Sequence, residues 1–178
     1  MGIPKEPQAV KLFVGFLTSQ PDLLEQALEA LVERFGAADT RFGPVLFSHT
    51  SYYARELGPN PLRALVTFAE LVRREVLPEV KLWTNALENR WTVGGLRKVN
   101  VDPGYLTPGQ LFLASTKDQR QRVYMREGIY VEPTLFFRAG AFHPFEWTYP
   151  DYREANCLEF LKEGRGILLR QLRHLGTA

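Results

Sequence analysis

An α+β fold with a largely antiparallel sheet is predicted by three features of the sequence. Apolar runs of strand length alternate with two amphipathic stretches in the order β-α-β-β-α-β, the split arrangement of ferredoxin-like proteins. Three or four further strand-like segments follow between Gln110 and Trp147, an antiparallel meander. A third helical stretch, from about Arg153 to Arg173, closes the chain. A single domain is expected over residues 1–178, with the ferredoxin-like core at 10–102 and the extension with its C-terminal helix at 105–175. The chain has 178 residues, 45% apolar and 24% charged, enough to bury roughly 70% of the unfolded surface.

Lys11 to Leu17 is an apolar run bounded by turn-formers, which predicts a buried central strand. Ser19 and Asp22 have the spacing of a capping box ahead of a helix. That helix carries a stripe of Leu24, Ala27, Leu28, Leu31 and Phe35, and Gly36 stops it. Arg41 to Ser48 and Leu62 to Phe68 read as strands joined by an aromatic and charged loop. Pro78 opens the second helix, with Val80, Trp83, Thr84, Leu87 and Trp91 on its buried side. Arg97 to Asp102 is the next strand. In the last helix Leu158, Leu161, Leu168 and Leu172 form the apolar face, and Gly164 and Gly166 weaken it by about 1 kcal/mol each.

Several classes are excluded. No run approaches the ~20 apolar residues of a membrane helix. The composition is neither disordered nor that of a disulfide scaffold. A formal charge of +2 does not by itself imply a nucleic-acid partner. Residues 1–7 do not read as a signal peptide, and the lone Cys157 is expected as a buried thiol, so a cytoplasmic location is expected. The phosphate loop and the dinucleotide fingerprint are missing. One Cys and three scattered His make a zinc cage improbable. His49-Thr50-Ser51 matches half of the two-histidine phosphoesterase pair, but the second half is missing.

Two segments carry the candidate site. Around Gly128, a three-residue loop (Arg126-Glu127-Gly128) sorts the hairpin into two faces. Val123, Met125, Ile129, Val131, Leu135 and Phe137 fall on one; Arg120, Arg122, Tyr124, Tyr130, Glu132, Thr134 and Arg138 fall on the other. Arg122 then faces Glu132 and Tyr124 faces Tyr130. Arginines flanked by Tyr and one carboxylate suit a bidentate clamp on phosphate or carboxylate. A solvated sheet face with cross-strand ion pairs explains the same pattern. In the second segment, Lys98, Asn100 and Asp102 share the polar face of a strand. Pro103-Gly104 suits a type II turn, leaving Asp102 at the strand end, where a general base or metal carboxylate often sits. A turn-initiating Asp is the simpler account.

Other groups are weaker. Lys81, Asn85 and Glu88 form a helical stripe, most simply a solvated one. Tyr52, Tyr53 and Glu56, and likewise Trp147, Tyr149, Asp151 and Tyr152, either stack on a base or sugar or close the ends of the core.

Together these pieces resemble a bacterial family of about this length known as a domain of unknown function. The resemblance rests on Pro4-Lys5-Glu6-Pro7 before Lys11-Leu12-Phe13-Val14-Gly15, on Tyr52-Tyr53 with Glu56 and Gly58, and on Lys81-Leu82-Trp83-Thr84-Asn85. It continues through Asn100 to Leu106, Lys117 with Arg122, Gly128-Ile129-Tyr130 with Glu132, and Trp147 to Tyr152. Ser51 and Gln121 stand where Asp and His are expected of relatives. Some members carry a GTP-binding label, and that resemblance is what adds GTP to the ligands considered.

The expectation is therefore a protein that binds a phosphorylated small molecule or nucleotide on a polar sheet face. Arg120 and Arg122, with Lys98 and Lys117, would hold the anion. Asp102 and Glu132 would bind Mg²⁺ or act as the base, with Tyr124 and Tyr130 fixing orientation and Asn100 beside them. The alternative is a non-enzymatic module that binds RNA or protein on the same sheet. No membrane partner is expected.

Overall fold

The computed structural model describes residues 2–49 and 54–176. Strand β1 (Val10–Thr18) is buried along its whole length, as an apolar run in mid-sheet must be. It pairs antiparallel with β3 (Leu62–Val72) on one side and β4 (Val99–Leu106) on the other, and β2 (Ala38–Leu46) flanks β3. Beyond β4 come β5 (Gln110–Ser115) and β7 (Ile129–Arg138); β6 (Val123–Arg126) and β8 (Ala141–Pro144) both pair with β7. The order is β2-β3-β1-β4-β5-β7-β6, antiparallel throughout, so the protein is α+β.

Helices α1 (Pro21–Phe35) and α3 (Leu77–Asn89) cover one face of the sheet. Leu24, Ala27 and Leu31 of α1 meet Val80 and Leu87 of α3 over Leu12, Val14, Phe16, Val99 and Val101. Helix α4 (Ala155–His174) covers the opposite face, where Cys157, Phe160, Leu161, Leu168 and Leu172 pack on Phe13, Leu65, Leu106 and Leu135. Each fully buried leucine there contributes about 2 kcal/mol. Gly164 weakens the helix but lets it sit close: a Cβ there would come within 3.3 Å of both Leu106 and Thr67. A short helix, α2 (Ala54–Leu57), precedes β3. No helix among the described residues is long and apolar enough to cross a membrane.

Four local expectations need correction. The capping box does not form: Gln20 is the N-cap of α1 without a side-chain bond, and the buried Ser19 hydroxyl has no partner among the described residues. Thr18 takes the Gln20 N–H instead, at 3.0 Å. The Pro103-Gly104 turn does not form either, because β4 runs through both residues to Leu106. Gly104 is needed there for closeness rather than for a turn, since a Cβ would lie 2.1 Å from the Phe112 carbonyl oxygen.

The hairpin tip is a two-residue turn, with Glu127 and Gly128 at φ of 52° and 74° and Arg126 opposite Ile129. Positive φ at both positions marks the type I′ turn that suits strand twist. A bulge at Met125 then restores the expected pairing of Tyr124 with Tyr130. Finally, the expected apolar face of β6 is not buried. Val123 is 63% exposed and Met125 37%, because β6 is a four-residue edge strand outside the helix-covered core.

Candidate functional site

The site originates in a fork in the sheet. Strands β4 and β5 pair only from Gly104 to Leu106. N-terminal to Gly104 the edge of β4 has no strand beside it among the described residues, yet its buried backbone groups need partners. Helix α3 supplies them. Glu88 Oε1 accepts the Val101 N–H at 2.6 Å, and Lys81 Nζ donates to the Val101 carbonyl at 3.3 Å. Pro103 faces the same open edge two residues on, and has no N–H to leave unpaired. The stripe of Lys81, Asn85 and Glu88 is therefore not a solvated one: Lys81 is 5% exposed and Glu88 2%.

The fork opens into a cavity of about 730 Å³. Its walls come from β1, β3, β4, β5, β7 and α3, and from the segment before α4. That segment is strapped to β7 by two bonds. Trp147 Nε1 donates to the Pro133 carbonyl at 2.8 Å, and the Thr148 hydroxyl to the Thr134 carbonyl at 2.5 Å. The strap carries Asp151 and Tyr152 under the sheet. Asp151 pairs with Arg63 at 2.8 Å, and the Arg63 guanidinium lies 4.8 Å from the centre of the Tyr152 ring.

The charges form a connected network. Asp102 accepts from Lys81 Nζ at 3.1 Å and from the Asn100 amide at 2.5 Å. Burial opposes the charge on Asp102, but Lys81, Arg63 and these two bonds outweigh it and hold the carboxyl below its usual value. Arg97 bridges Asn100 Oδ1 (2.9 Å), Glu88 (2.8 Å) and Glu56 (2.6 Å). Burial pushes the Glu88 carboxyl up, against the pull of Lys81, the Val101 N–H and Arg97. Across the cavity Arg122 bonds Glu132 through Nε at 3.1 Å and Nη2 at 3.3 Å. His49 lines the rim and meets Glu154 at 2.8 Å.

Of the residues expected to form the site, Asn100, Asp102, Lys117, Arg122 and Glu132 line this one cavity. The Asp102 strand and the Arg122–Glu132 hairpin are not adjacent, because β5 lies between them; the fork is what lets their side chains line one cavity. Arg120, Tyr124, Tyr130 and Lys98 do not line it. Arg120 is 80% exposed and pairs with Glu146. Tyr124 and Tyr130 form an edge-to-face pair on the hairpin, ring centres 5.4 Å apart. Lys98 reaches the Glu56 carbonyl at 3.4 Å, behind the lining.

Arg122 is also not a free clamp. Four of its five N–H donors go to Glu132, to the Ser115 hydroxyl at 2.7 Å and to the Lys117 carbonyl at 3.0 Å. Asp102 and Glu132, each balanced by its own basic side chain, make a poor donor set for Mg²⁺. Among the described residues no three or more His, Cys, Asp and Glu are grouped to hold a metal ion.

Arg63 and Arg97 are not among the candidates that the sequence pattern offers, and the α3 stripe and the strap are weaker candidates there than the hairpin. Arg63 had one visible signal, a charge inside the apolar strand Leu62–Phe68. Of the residues that carry the family resemblance, Tyr52 and Tyr53 lie outside the described residues, as does Ser51, which departs from it. Lys81, Asn85, Asn100, Asp102, Lys117, Arg122, Glu132 and the strap border the cavity.

Fold and site together define an α+β protein with a forked antiparallel sheet and a charged cleft at the fork. The chain belongs to the domain of unknown function family DUF4416, whose model matches residues 8–167. No curated protein and no solved structure is detectably similar to it.

Proposed function

We propose that the protein binds a phosphorylated small molecule, a nucleotide such as GTP among the options, in the cleft at the β4–β5 fork. What carries this reading is the make-up of the 730 Å³ cavity. Five basic side chains (Arg63, Lys81, Arg97, Lys117, Arg122) line it against three acidic ones (Asp102, Glu132, Asp151). The carboxylates that balance Arg97, Glu56 and Glu88, stand outside the lining. The size is that of a ligand pocket, and the polar groups are held in place before any ligand arrives. Lys117, exposed at the rim, is the cation best placed to meet an incoming phosphate. The RNA- or protein-binding alternative has less to use, because helices cover both faces of the β1–β4 part of the sheet. The lone cysteine, buried and unpaired, accords with a cytoplasmic setting.

The test is a thermal-shift screen of nucleotides and phosphorylated metabolites, with and without Mg²⁺, on wild type and Lys117→Ala. A ligand at 100 times its Kd stabilises by ~2.7 kcal/mol, roughly 5–10 °C for a chain of this size. Such a shift, reduced in Lys117→Ala, is the expected result. A flat screen with folded protein refutes the reading.

A further inference from the structure

The inner end of the cleft differs from its mouth. Tyr152 is 2% exposed and the Arg63 side chain 9%. Both line the cavity, and both hold a buried donor without a partner among the described residues, the Tyr152 hydroxyl and the Arg63 Nε–H. The two side chains crowd around Gly15 on β1. A Cβ there would lie 3.0 Å from the Tyr152 hydroxyl oxygen and 3.4 Å from Arg63 Nη2. A glycine inside a buried strand fits such a close approach. Gly15 stands opposite Asp102 in the β1–β4 ladder. Burial keeps the Tyr152 hydroxyl protonated well above its usual range, so it is a donor at every ordinary pH.

Charge at this end is already balanced, with Arg63 on Asp151 and Lys81 on Asp102. A phosphate placed here would meet two carboxylates. A hydroxyl meets neither objection. It can accept from Tyr152 and donate to Asp102, whose oxygens each take one bond from Lys81 or Asn100 and keep a lone pair free. A buried hydroxyl without a protein partner calls for a ligand or a water, and of the three such hydroxyls among the described residues (Ser19, Thr134, Tyr152) it is that of Tyr152 that lines the cavity.

Resting on the phosphate reading above, the geometry points to a hydroxyl subsite at Gly15, formed by Tyr152 and Asp102. The ligand is then a phosphate ester of a sugar or polyol, a hydroxyl inward and the phosphate outward toward Lys117. Tyr152 acts as a binding residue whose hydroxyl serves the ligand rather than the fold.

The test uses ribose 5-phosphate and glycerol 3-phosphate against phenyl phosphate, which has no hydroxyl, on wild type, Tyr152→Phe and Arg120→Ala. Arg120 lies outside the cleft and serves as the control. The hydroxylated esters should bind wild type and Arg120→Ala about tenfold more tightly than phenyl phosphate, and Tyr152→Phe should erase that preference. Unliganded Tyr152→Phe should melt at or above wild type. If phosphate esters bind with no preference for hydroxyls, or Tyr152→Phe keeps the preference, the subsite is refuted while the phosphate cleft stands. If Tyr152→Phe melts well below wild type, the hydroxyl serves the fold and the subsite is equally refuted. If no phosphate ester binds at all, both readings fall.

Discussion

Gly104→Ala is the sharpest probe of the fork. A Cβ at position 104 would lie 2.1 Å from the Phe112 carbonyl oxygen and 2.8 Å from Leu113 Cδ2. An ordinary close contact between carbon and a carbonyl oxygen is about 3.3 Å, so the strands must part by roughly 1.2 Å. The obstructing atom is backbone and cannot rotate away. The β4–β5 ladder has only three residue pairs, and Gly104 with Leu113 is one of them. Overpacking a core costs about 1–3 kcal/mol, and parting this short ladder places the substitution at the upper end, near 3 kcal/mol. For a chain of this length that lowers Tm by roughly 6–12 °C. Gly109→Ala is the matched control, because nothing lies within 4 Å of a Cβ there and its φ is not positive. Urea and thermal unfolding of both variants against wild type measure the difference. Equal stability of the two would refute the placement of β5 against β4, and with it the origin of the cleft.

Two further outcomes follow from the charged network. Arg122 and Glu132 are buried as a pair, 4% and 5% exposed, so Arg122→Met alone strands a carboxylate and should cost about 3–5 kcal/mol. Arg122→Met with Glu132→Met should recover most of that loss; a double-mutant cycle by urea unfolding with no coupling would contradict the pairing. Asp102 titrates below its usual value in the folded protein. Its contribution is therefore complete at neutral pH and is lost as pH falls below the ordinary carboxylate range. Glu88, raised by burial, has the opposite sign, taking up a proton in the folded protein first and offsetting part of the loss. Asp102→Asn should thus be less stable than wild type at pH 7, with the gap closing toward pH 3. A gap independent of pH would show that charge is not what Asp102 contributes.

The sequence by itself determined the element order, the helix stripes and the buried central strand, because these depend on periodicity and local stop signals. Leu24, Ala27 and Leu31 face the core, as their spacing requires, and Gly36 ends α1 at φ 87°. Asp102, Arg122 and Glu132 were also legible as candidates, since a charged residue alternating into an apolar strand stands out. Their partners were not. A helical stripe of Lys81, Asn85 and Glu88 reads as solvated because spacing cannot reveal that β4 has an open edge there. Pro103-Gly104 carries a strong turn signal, and the pairing of β4 with β1 through both residues makes it a strand. Arg122 looked free to bind an anion until the fold brought Ser115, Lys117 and Glu132 to it. What the tertiary structure decided was which backbone edges lack a strand and which donors are already taken. Both depend on contacts between segments far apart in the chain, which no local pattern encodes.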